Sequence, residues 1–252
     1  MLNSLNRFSN RVENYVKYRP QYPDAVLSFL KEEKILSSET IVADIGSGTG
    51  ISTQLFLKNG NAVYGVEPNN EMREASEQIL KGYPNFISIN ATAEETKLEN
   101  ESVDMIVAGQ AFHWFDKEKC KAEFKRILKP NGTVVLMWND RRITSTLFLA
   151  AYENLLQTFG TDYKEVDHKN IDEKIFNSFF GEGNYKMKSF ENFQRHDYAA
   201  LEGRLLSSSY VPDESHHNYQ PMLNSLKELF IHYQQNNMVT IEYDTIVYYG
   251  KL

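Results

Sequence analysis

A short apolar run followed at once by a glycine-rich loop constrains the fold of this chain more than any other stretch. TIVADI (40–45) is β-branched and apolar, as is typical of a buried strand, and GSGTG (46–50) follows directly. Glycines alternating with small residues let the backbone approach a ligand closely. Phosphates, dinucleotides and sulfonium cofactors are all bound by such loops, so the loop by itself leaves three kinds of ligand open.

Segments typical of strands and of helices alternate after the loop. The predicted strands are 62–67, 86–89, 103–108 and 133–138, and the predicted helices are 51–60, 70–82 and 116–128. This spacing predicts parallel βαβ units in a doubly wound sheet. In the second half we predict helices within 144–180, at 200–208 and at 221–235, and strands at 185–193 and 238–250. No linker or internal repeat interrupts the pattern, which indicates one domain.

Composition narrows the class of protein. The 252 residues carry a net charge of −7 and a pI near 5.5, which disfavours a nucleic-acid partner. Cys120 is the single cysteine, so no intramolecular disulfide forms, and its place on an apolar helix face indicates a structural thiol. Without a signal-peptide or membrane-spanning segment in the sequence, we expect a soluble cytoplasmic protein.

An acidic residue ends the second predicted strand. Glu67 lies about twenty residues after the loop, where nucleotide-binding sites place an acid that accepts hydrogen bonds from ribose hydroxyls. The alternative is that Glu67 merely caps the helix that begins near Asn69.

The residues around the loop discriminate among the three ligands. A phosphate loop needs Gly-Lys-Ser/Thr at its end, whereas Gly50 is followed by Ile51 and Ser52. The dinucleotide pattern is a closer rival, but Asp44 precedes the loop, and a carboxylate would repel a pyrophosphate. The same carboxylate suits a cationic ligand, whether ammonium or sulfonium.

Together, VADIGSGTGIST and VYGVEPNNEMREAS resemble the class I S-adenosylmethionine-dependent methyltransferases. The likeness continues through ATAEETKLENESVDMIVAGQAFHWFD and FKRILKPNGTVVLMW, and includes YVKYRPQYP and LEGRLLSSSYVP. It is closest to the small-molecule type 11 group, which includes trans-aconitate-type enzymes. The resemblance implies a Rossmann-like, doubly wound, seven-stranded α/β sheet, mostly parallel, with an antiparallel C-terminal strand and a helical insertion between strands 5 and 6.

The resemblance also implies roles for individual residues toward S-adenosylmethionine. Backbone at Gly46, Ser47, Gly48 and Gly50 would approach its methionine part, and Asp44 would act on its amino group through the loop. Glu67 would hold the ribose. The remaining residues implied to bind the cofactor are Pro68 and Met72 beside the adenine, Ala93 and Glu94 along its edge (after Thr92, where many relatives have Asp), Gln110 and Ala111 facing the methyl group, and Tyr15, Tyr18 and Arg19 in a covering segment, with Arg19 on the carboxylate.

Few residues point to the chemistry at the methyl acceptor. His113 is the one plausible general base, although a structural role in its loop is favoured. Trp114 and Trp138 would shape the acceptor pocket or pack in the core, and Ser208 and Tyr210 are candidates on the acceptor side. His216 and His217 are adjacent but lack a third ligand at metal spacing, so no metal is expected.

The leading hypothesis is a methyltransferase acting on a small molecule by in-line displacement, as a monomer or weak homodimer. The alternatives are a catalytically silent cofactor-binding module, a nicotinamide-dependent oxidoreductase, and a methyltransferase for protein or RNA. We divide the domain into a cofactor-covering segment (1–40), a cofactor-binding core (41–140), acceptor-side elements (141–236) and a final strand (237–252). The acceptor itself is not encoded in any motif.

Overall fold

A seven-stranded sheet in the order β3-β2-β1-β4-β5-β7-β6 organises the chain. The computed structural model describes residues 12–161, 163 and 173–252. Its strands are β1 Val42–Ile45, β2 Val63–Val66, β3 Phe86–Ile89, β4 Val103–Gly109, β5 Leu128–Arg141, β6 Tyr185–His196 and β7 Val239–Gly250. Strands β1 to β5 pair in parallel, and β7 lies antiparallel between β5 and β6. The predicted fold class is confirmed.

Helices cover both faces of the sheet and form an additional layer beyond β5. They are α1 Val12–Tyr18, α2 Ala25–Glu32, α3 Ile51–Lys58, α4 Asn70–Leu80, α5 Lys117–Ile127, α6 Leu147–Phe159, α7 Glu173–Phe180, α8 Tyr198–Leu206 and α9 Tyr219–Tyr233. Helices α6 and α7 form the predicted insertion between β5 and β6. Part of the predicted helical stretch 144–180, residues 162 and 164–172, lies outside the described residues, as do residues 1–11 of the covering segment.

The central strands are buried on both sides because their alternate residues enter different cores. In β4, Met105 and Val107 pack with α2 and α3, whereas Ile106 and Ala108 pack with α5 and α7. Such two-sided burial explains why these strands read as continuous apolar runs. A third cluster joins α6, α8 and α9 to the first half of β7.

Helix α1 was not predicted, and two further elements differ from the sequence prediction. Strand β5 spans Leu128–Arg141 rather than 133–138, because its polar end keeps pairing with β7 up to the Arg141–Tyr243 pair. Helix α2 was not predicted, yet its Val26 and Leu30 are fully buried. Its eight residues offer too short an apolar period to separate a helix from a loop by pattern alone.

Candidate cofactor-binding site

A narrow cleft opens at the carboxyl ends of β1 and β4, where an open α/β sheet binds its ligands. Its volume is about 410 Å³ when the space open to solvent at its mouth is included. Its lining residues are Tyr15, Arg19, Pro20, Tyr22, Gly46, Ser47, Gly48, Thr49, Ile51, Ser52, Gly109 and Gln110. Six of these, Tyr15, Arg19, Gly46, Ser47, Gly48 and Gln110, are among the residues predicted to bind the cofactor.

The glycine loop turns sharply between β1 and α3. Gly46, Gly48 and Gly50 all have positive φ, at 69°, 55° and 88°. A Cβ on Gly46 would lie 2.6 Å from the Cβ of Ala111, whereas a Cβ on Gly48 would meet nothing within 4 Å. The first glycine therefore allows close packing against the segment after β4, and the second keeps the floor of the cleft open.

Glu67 binds the loop from the neighbouring strand. Its Oε2 accepts a hydrogen bond from the Gly48 N–H at 2.9 Å, and its Oε1 accepts one from the Asn69 N–H at 2.8 Å. Burial raises the pKa of this carboxyl, and the two backbone hydrogen bonds oppose that rise. Each carboxylate oxygen can accept a further hydrogen bond, so Glu67 fixes the loop and still has acceptor capacity for a ribose. The helix cap itself is Asn69, whose side chain accepts from the Met72 N–H.

Asp44 lies beneath the loop rather than in the cleft wall. Its side chain is fully buried, and its Oδ2 accepts hydrogen bonds from Ser52 Oγ at 2.7 Å and Thr53 Oγ1 at 2.6 Å. The other oxygen, Oδ1, has no hydrogen-bond partner among the described residues. Burial raises the pKa of Asp44 to about 6, against the effect of the Thr53 and Ser52 hydroxyls.

This pKa predicts an unusual pH dependence of stability. An unfolded aspartate titrates near 3.8, below the value of about 6 in the fold, so the folded state binds more protons between these values. The contribution of Asp44 to the free energy of unfolding is therefore fully present below about pH 4 and is lost as the pH rises through about 6. We expect Asp44→Asn to become more stable relative to the wild type by up to about 3 kcal/mol between pH 4 and 7.

Urea denaturation of both proteins across this pH range measures the difference. Asp24→Asn, a change at an exposed aspartate, is the matched control and should follow the wild-type profile. Parallel profiles for Asp44→Asn and the wild type would contradict the prediction.

The N-terminal segment covers the cleft and is held by the second half of the chain. Arg19 lies over the Tyr15 ring at 4.9 Å and donates from Nη2 to the Ser207 carbonyl at 2.8 Å. Tyr18 is outside the cleft lining: its ring packs so closely on α8 that a Cβ on Gly203 would lie 2.0 Å from it. The segment then passes Asn139, whose side-chain amide donates to the carbonyls of Pro20 and Gln21 at 3.4 Å.

The segment after β4 forms the opposite wall. Gln110 has a φ of 59°, which is rare for a residue with a side chain, and it donates from Nε2 to the Asn139 carbonyl at 3.3 Å. Non-glycine residues with positive φ are uncommon, and they occur more often at ligand-binding and active sites than elsewhere. Ala111 packs beneath Gly46, and the half-buried His113 and Trp114 follow in a short 3₁₀ helix with ring centroids 4.7 Å apart.

The residues predicted to flank the adenine lie away from the cleft lining. Pro68 is half-buried beside Glu67, and Met72 is buried in the first turn of α4. Ala93 is buried in the core on the α5 side of the sheet. Glu94 accepts a hydrogen bond from the Asp116 N–H at 3.0 Å, so its carboxylate faces the start of α5. Nothing in the structure tests the adenine-binding roles predicted for these residues, so those roles stay predictions.

The residues predicted to lie on the acceptor side differ in their surroundings. Trp138 is 3% exposed and packs edge-on against Phe112, Phe176 and Tyr248, which agrees with the alternative that it packs in the core; its place in an acceptor pocket stays a prediction. Its side chain belongs to the β5 face that packs on α5 and α7. Ser208 is buried and accepts from Arg204 Nη1 at 3.2 Å, whereas Tyr210 is half-buried with its ring 4.8 Å from Tyr163.

Other predictions concern metals and membranes. His216 and His217 stack at 4.4 Å, and the Nδ1 of His216 accepts from the Asn218 N–H. Within residues 12–161, 163 and 173–252, no group of three or more His, Cys, Asp or Glu could hold a metal ion. In the same part of the chain, no helix combines the length and apolarity needed to span a membrane. Cys120 is fully buried and not bonded to another cysteine.

Several residues of the site were missed by the sequence analysis. Tyr22, Thr49 and Gly109 line the cleft, and Ser52 both lines it and binds Asp44. A small polar pair directly after a glycine loop, Ser52-Thr53, is a signal that could have been used, since hydroxyls at a helix start can reach back to the preceding strand. Tyr22 carries no comparable signal, because only the chain path brings its hydroxyl next to Gly109.

Comparison with known proteins agrees with this geometry. Residues 43–136 match the family model described as a methyltransferase domain. An uncharacterized methyltransferase-like protein of Schizosaccharomyces pombe is 33% identical over 138 residues, which cover 54% of this chain and 53% of that protein. A probable S-adenosylmethionine-dependent methyltransferase of Saccharomyces cerevisiae is 30% identical over 126 residues, covering 48% and 42% of the two chains.

The curated relatives and the solved structures cover different lengths. The chain spans about half the length of the first of these curated relatives. The structure of a provisionally named type II methyltransferase of Anaeromyxobacter dehalogenans superposes with a TM-score of 0.69 over 93% of this chain and 98% of that one, at 19% identity. At that identity the superposition supports the fold alone.

Proposed function

Because residues 43–136 belong to the class I S-adenosylmethionine-dependent methyltransferases, we propose that this chain transfers the methyl group of S-adenosylmethionine to a small-molecule acceptor by in-line displacement. The observation that carries the proposal is the hydrogen bond between the Gly48 N–H and the Glu67 carboxylate. It joins the glycine loop to the acid of the neighbouring strand, so that one ligand can contact both.

The buried polar atoms near the cleft fit the cofactor. Its amino-acid end carries an ammonium and a carboxylate. The buried Nε of Arg19, which lines the cleft, and the buried Oδ1 of Asp44, beneath the loop, both lack hydrogen-bond partners among the described residues. These opposite charges suit the two ends of a zwitterion, and the open floor at Gly48 leaves room for it.

In this proposal the chain contributes orientation and exclusion of water. When bound, S-adenosylmethionine supplies a methyl group that its sulfonium charge has already activated. Tyr15 and Arg19 cover the cleft, and Gln110 is held by its bond to Asn139 at the edge where an acceptor would enter. Aligning two reactants and excluding solvent accounts for much of the rate enhancement of such a step. His113 stays a candidate base for acceptors that must lose a proton.

Binding of S-adenosylhomocysteine tests the proposal directly. We expect it to raise the melting temperature of the wild type, and Glu67→Gln to weaken its affinity by tenfold or more, because a hydrogen bond to a charged group contributes about 1.5–3 kcal/mol. Isothermal calorimetry measures the affinity. Glu74→Gln, on the exposed face of α4, is the matched control and should bind as the wild type does.

The outcomes separate this function from its alternatives. No heat or thermal shift with S-adenosylhomocysteine would overturn the proposal. Binding without any methylated product from a metabolite extract favours a silent cofactor-binding module, and salt-sensitive binding of RNA or a protein favours a macromolecular acceptor. We also propose the four-part division of the domain at residues 1–40, 41–140, 141–236 and 237–252, with residues 1–11 outside the part described here.

A further inference from the structure

Arginine side chains converge where the N-terminal segment, the end of β5 and helix α8 meet. Arg19, Arg141 and Arg204 come from these three elements. Arg19 donates to the carbonyl of Ser207, directly after α8, and Arg204 donates to the hydroxyl of Tyr243, the residue that pairs with Arg141 across β5 and β7. Burial lowers the pKa of Arg19, and repulsion from the nearby Arg204 lowers it further. Three positive charges therefore share one interior region.

Arg204 is buried among neutral partners. Only 6% of it is exposed, and it donates from Nε to the Tyr243 hydroxyl and from Nη1 to Ser208 Oγ, both at 3.2 Å. No described carboxylate pairs with it. The nearby His196 is 3% exposed, and burial together with Arg204 lowers its pKa to about 4, so it is neutral and supplies no counter-charge.

Arg141 is only partly satisfied. Its side chain is 10% exposed, and Nη2 binds the Glu153 carboxylate and the Tyr163 hydroxyl. Its Nη1 is buried without a hydrogen-bond partner among the described residues, as is the Nε of Arg19. Glu153 is thus the single described carboxylate bonded to any of the three arginines, against three guanidinium charges.

Arg142 and Arg126 do not share this arrangement. Arg142, the next residue after Arg141, binds Asp244 at 2.7 Å and Glu191 at 3.2 Å, and Arg126 binds Glu123 at 2.8 Å. A buried charge without a counter-charge is strongly destabilising. An arginine cluster kept at that cost, with donors left open, is the arrangement expected of a site for an anion that is bound in use.

The cluster adjoins the cofactor cleft. Arg19 lines the cleft and also interacts with Arg204. Arg141 ends β5 two residues after Asn139, whose carbonyl accepts from Gln110 of the cleft wall. Since Arg19 suits the carboxylate of the cofactor, Arg141 and Arg204 are left for a second ligand.

We propose that Arg141 and Arg204 bind an anionic group, a carboxylate or a phosphate, of the methyl acceptor, which is therefore a small organic anion. The anion site makes the proposed function more specific. It rests on that function in one respect only, the identification of the bound anion as the methyl acceptor. The anion supplies negative charge that the described part of the chain does not give the cluster, and the open Nη1 of Arg141 provides a donor for it.

Thermal shift with simple anions tests the site without turnover. The probes are succinate and citrate for carboxylates, and inorganic phosphate and pyrophosphate for phosphates, each against sodium chloride at equal ionic strength. We expect one class to raise the melting temperature in a saturable way, and the class that responds identifies the group. If no probe exceeds sodium chloride, the inference is overturned.

Variants separate an anion site from a structural cluster. Arg204→Met should abolish the anion response without lowering the melting temperature in the absence of anion, because it removes a buried charge that has no counter-charge among the described residues. Arg204→Lys should retain part of the response, and Arg142→Met, which removes the same charge one residue beyond Arg141, should keep all of it. A melting temperature several degrees lower for Arg204→Met, or an unchanged anion response, contradicts the inference.

Calorimetry with S-adenosylhomocysteine keeps the two proposals apart. Arg204→Met should bind it with wild-type affinity, because Arg204 is not part of the cleft lining. An anion response lost in Arg204→Met supports the anion site even if S-adenosylhomocysteine does not bind, in which case only the proposed function fails. Binding of S-adenosylhomocysteine without any anion response leaves the proposed function and overturns the anion site.

Discussion

Gly46→Ala is expected to destabilise the fold by about 2–5 kcal/mol. Two physical terms add here. A residue with a Cβ costs about 1–2 kcal/mol in the left-handed region, and Gly46 has a φ of 69°. The new Cβ would also lie 2.6 Å from the Cβ of Ala111, so the segment after β4 must move, at about 1–3 kcal/mol for an overpacked site. Urea denaturation, followed by circular dichroism, measures the loss.

Gly48→Ala provides the matched comparison within the same loop. Its φ of 55° carries the same backbone strain, but its Cβ would meet nothing within 4 Å. We therefore expect a loss of only about 1–2 kcal/mol in stability, together with a weaker affinity for S-adenosylhomocysteine, because the methyl group enters the cleft. Equal destabilisation by the two substitutions would contradict the packing role assigned to Gly46.

The parallel pairing of the first five strands could be predicted because single helices of ordinary length join β1 to β2, β2 to β3 and β4 to β5. The apolar run at 40–45, the loop and the acid at Glu67 fix which strand ends face the ligand, and the structure brings the Gly48 N–H to Glu67. Local signals were sufficient here because the residues involved come from adjacent parallel strands, whose carboxyl ends meet at one sheet edge.

The arginine cluster could not be predicted in this way. More than a hundred residues separate Arg19 from Arg141, and about sixty separate Arg141 from Arg204. Nothing in the local sequence around any of them distinguishes a buried arginine from a surface one. Arg141 and Arg142 are neighbours in sequence, yet one lies in the cluster and the other pairs with Asp244. Their difference follows from strand alternation at the end of β5, and the length of β5 was itself underestimated.

The surroundings of Trp138 could not be predicted from the local sequence either. At the end of an apolar strand, a tryptophan is compatible with a ligand pocket and with a core, since large rings serve in both. The sheet face decides between them: Trp138 shares its side of β5 with Val134 and Leu136, which pack on α5 and α7.

Trp138→Ala is accordingly expected to cost about 3–5 kcal/mol in the free energy of unfolding, the range for truncating a buried large aromatic residue. The indole is 3% exposed and contacts Phe112, Phe176 and Tyr248, so its removal leaves a cavity between β5, α7 and β7. Urea denaturation measures the loss. Trp138→Phe should recover part of it, because a smaller ring fills some of the space.

Trp114→Ala is the control for a tryptophan outside this core. Trp114 is half-buried beside His113 in the 3₁₀ helix, so its removal should cost less than half as much stability. The two variants also separate core packing from a ligand role. If Trp138 is a core residue, the Trp138→Ala protein should keep its affinity for S-adenosylhomocysteine and its anion response at low temperatures, where it remains folded. A stable Trp138→Ala protein that had lost only ligand binding would instead return this residue to the acceptor pocket.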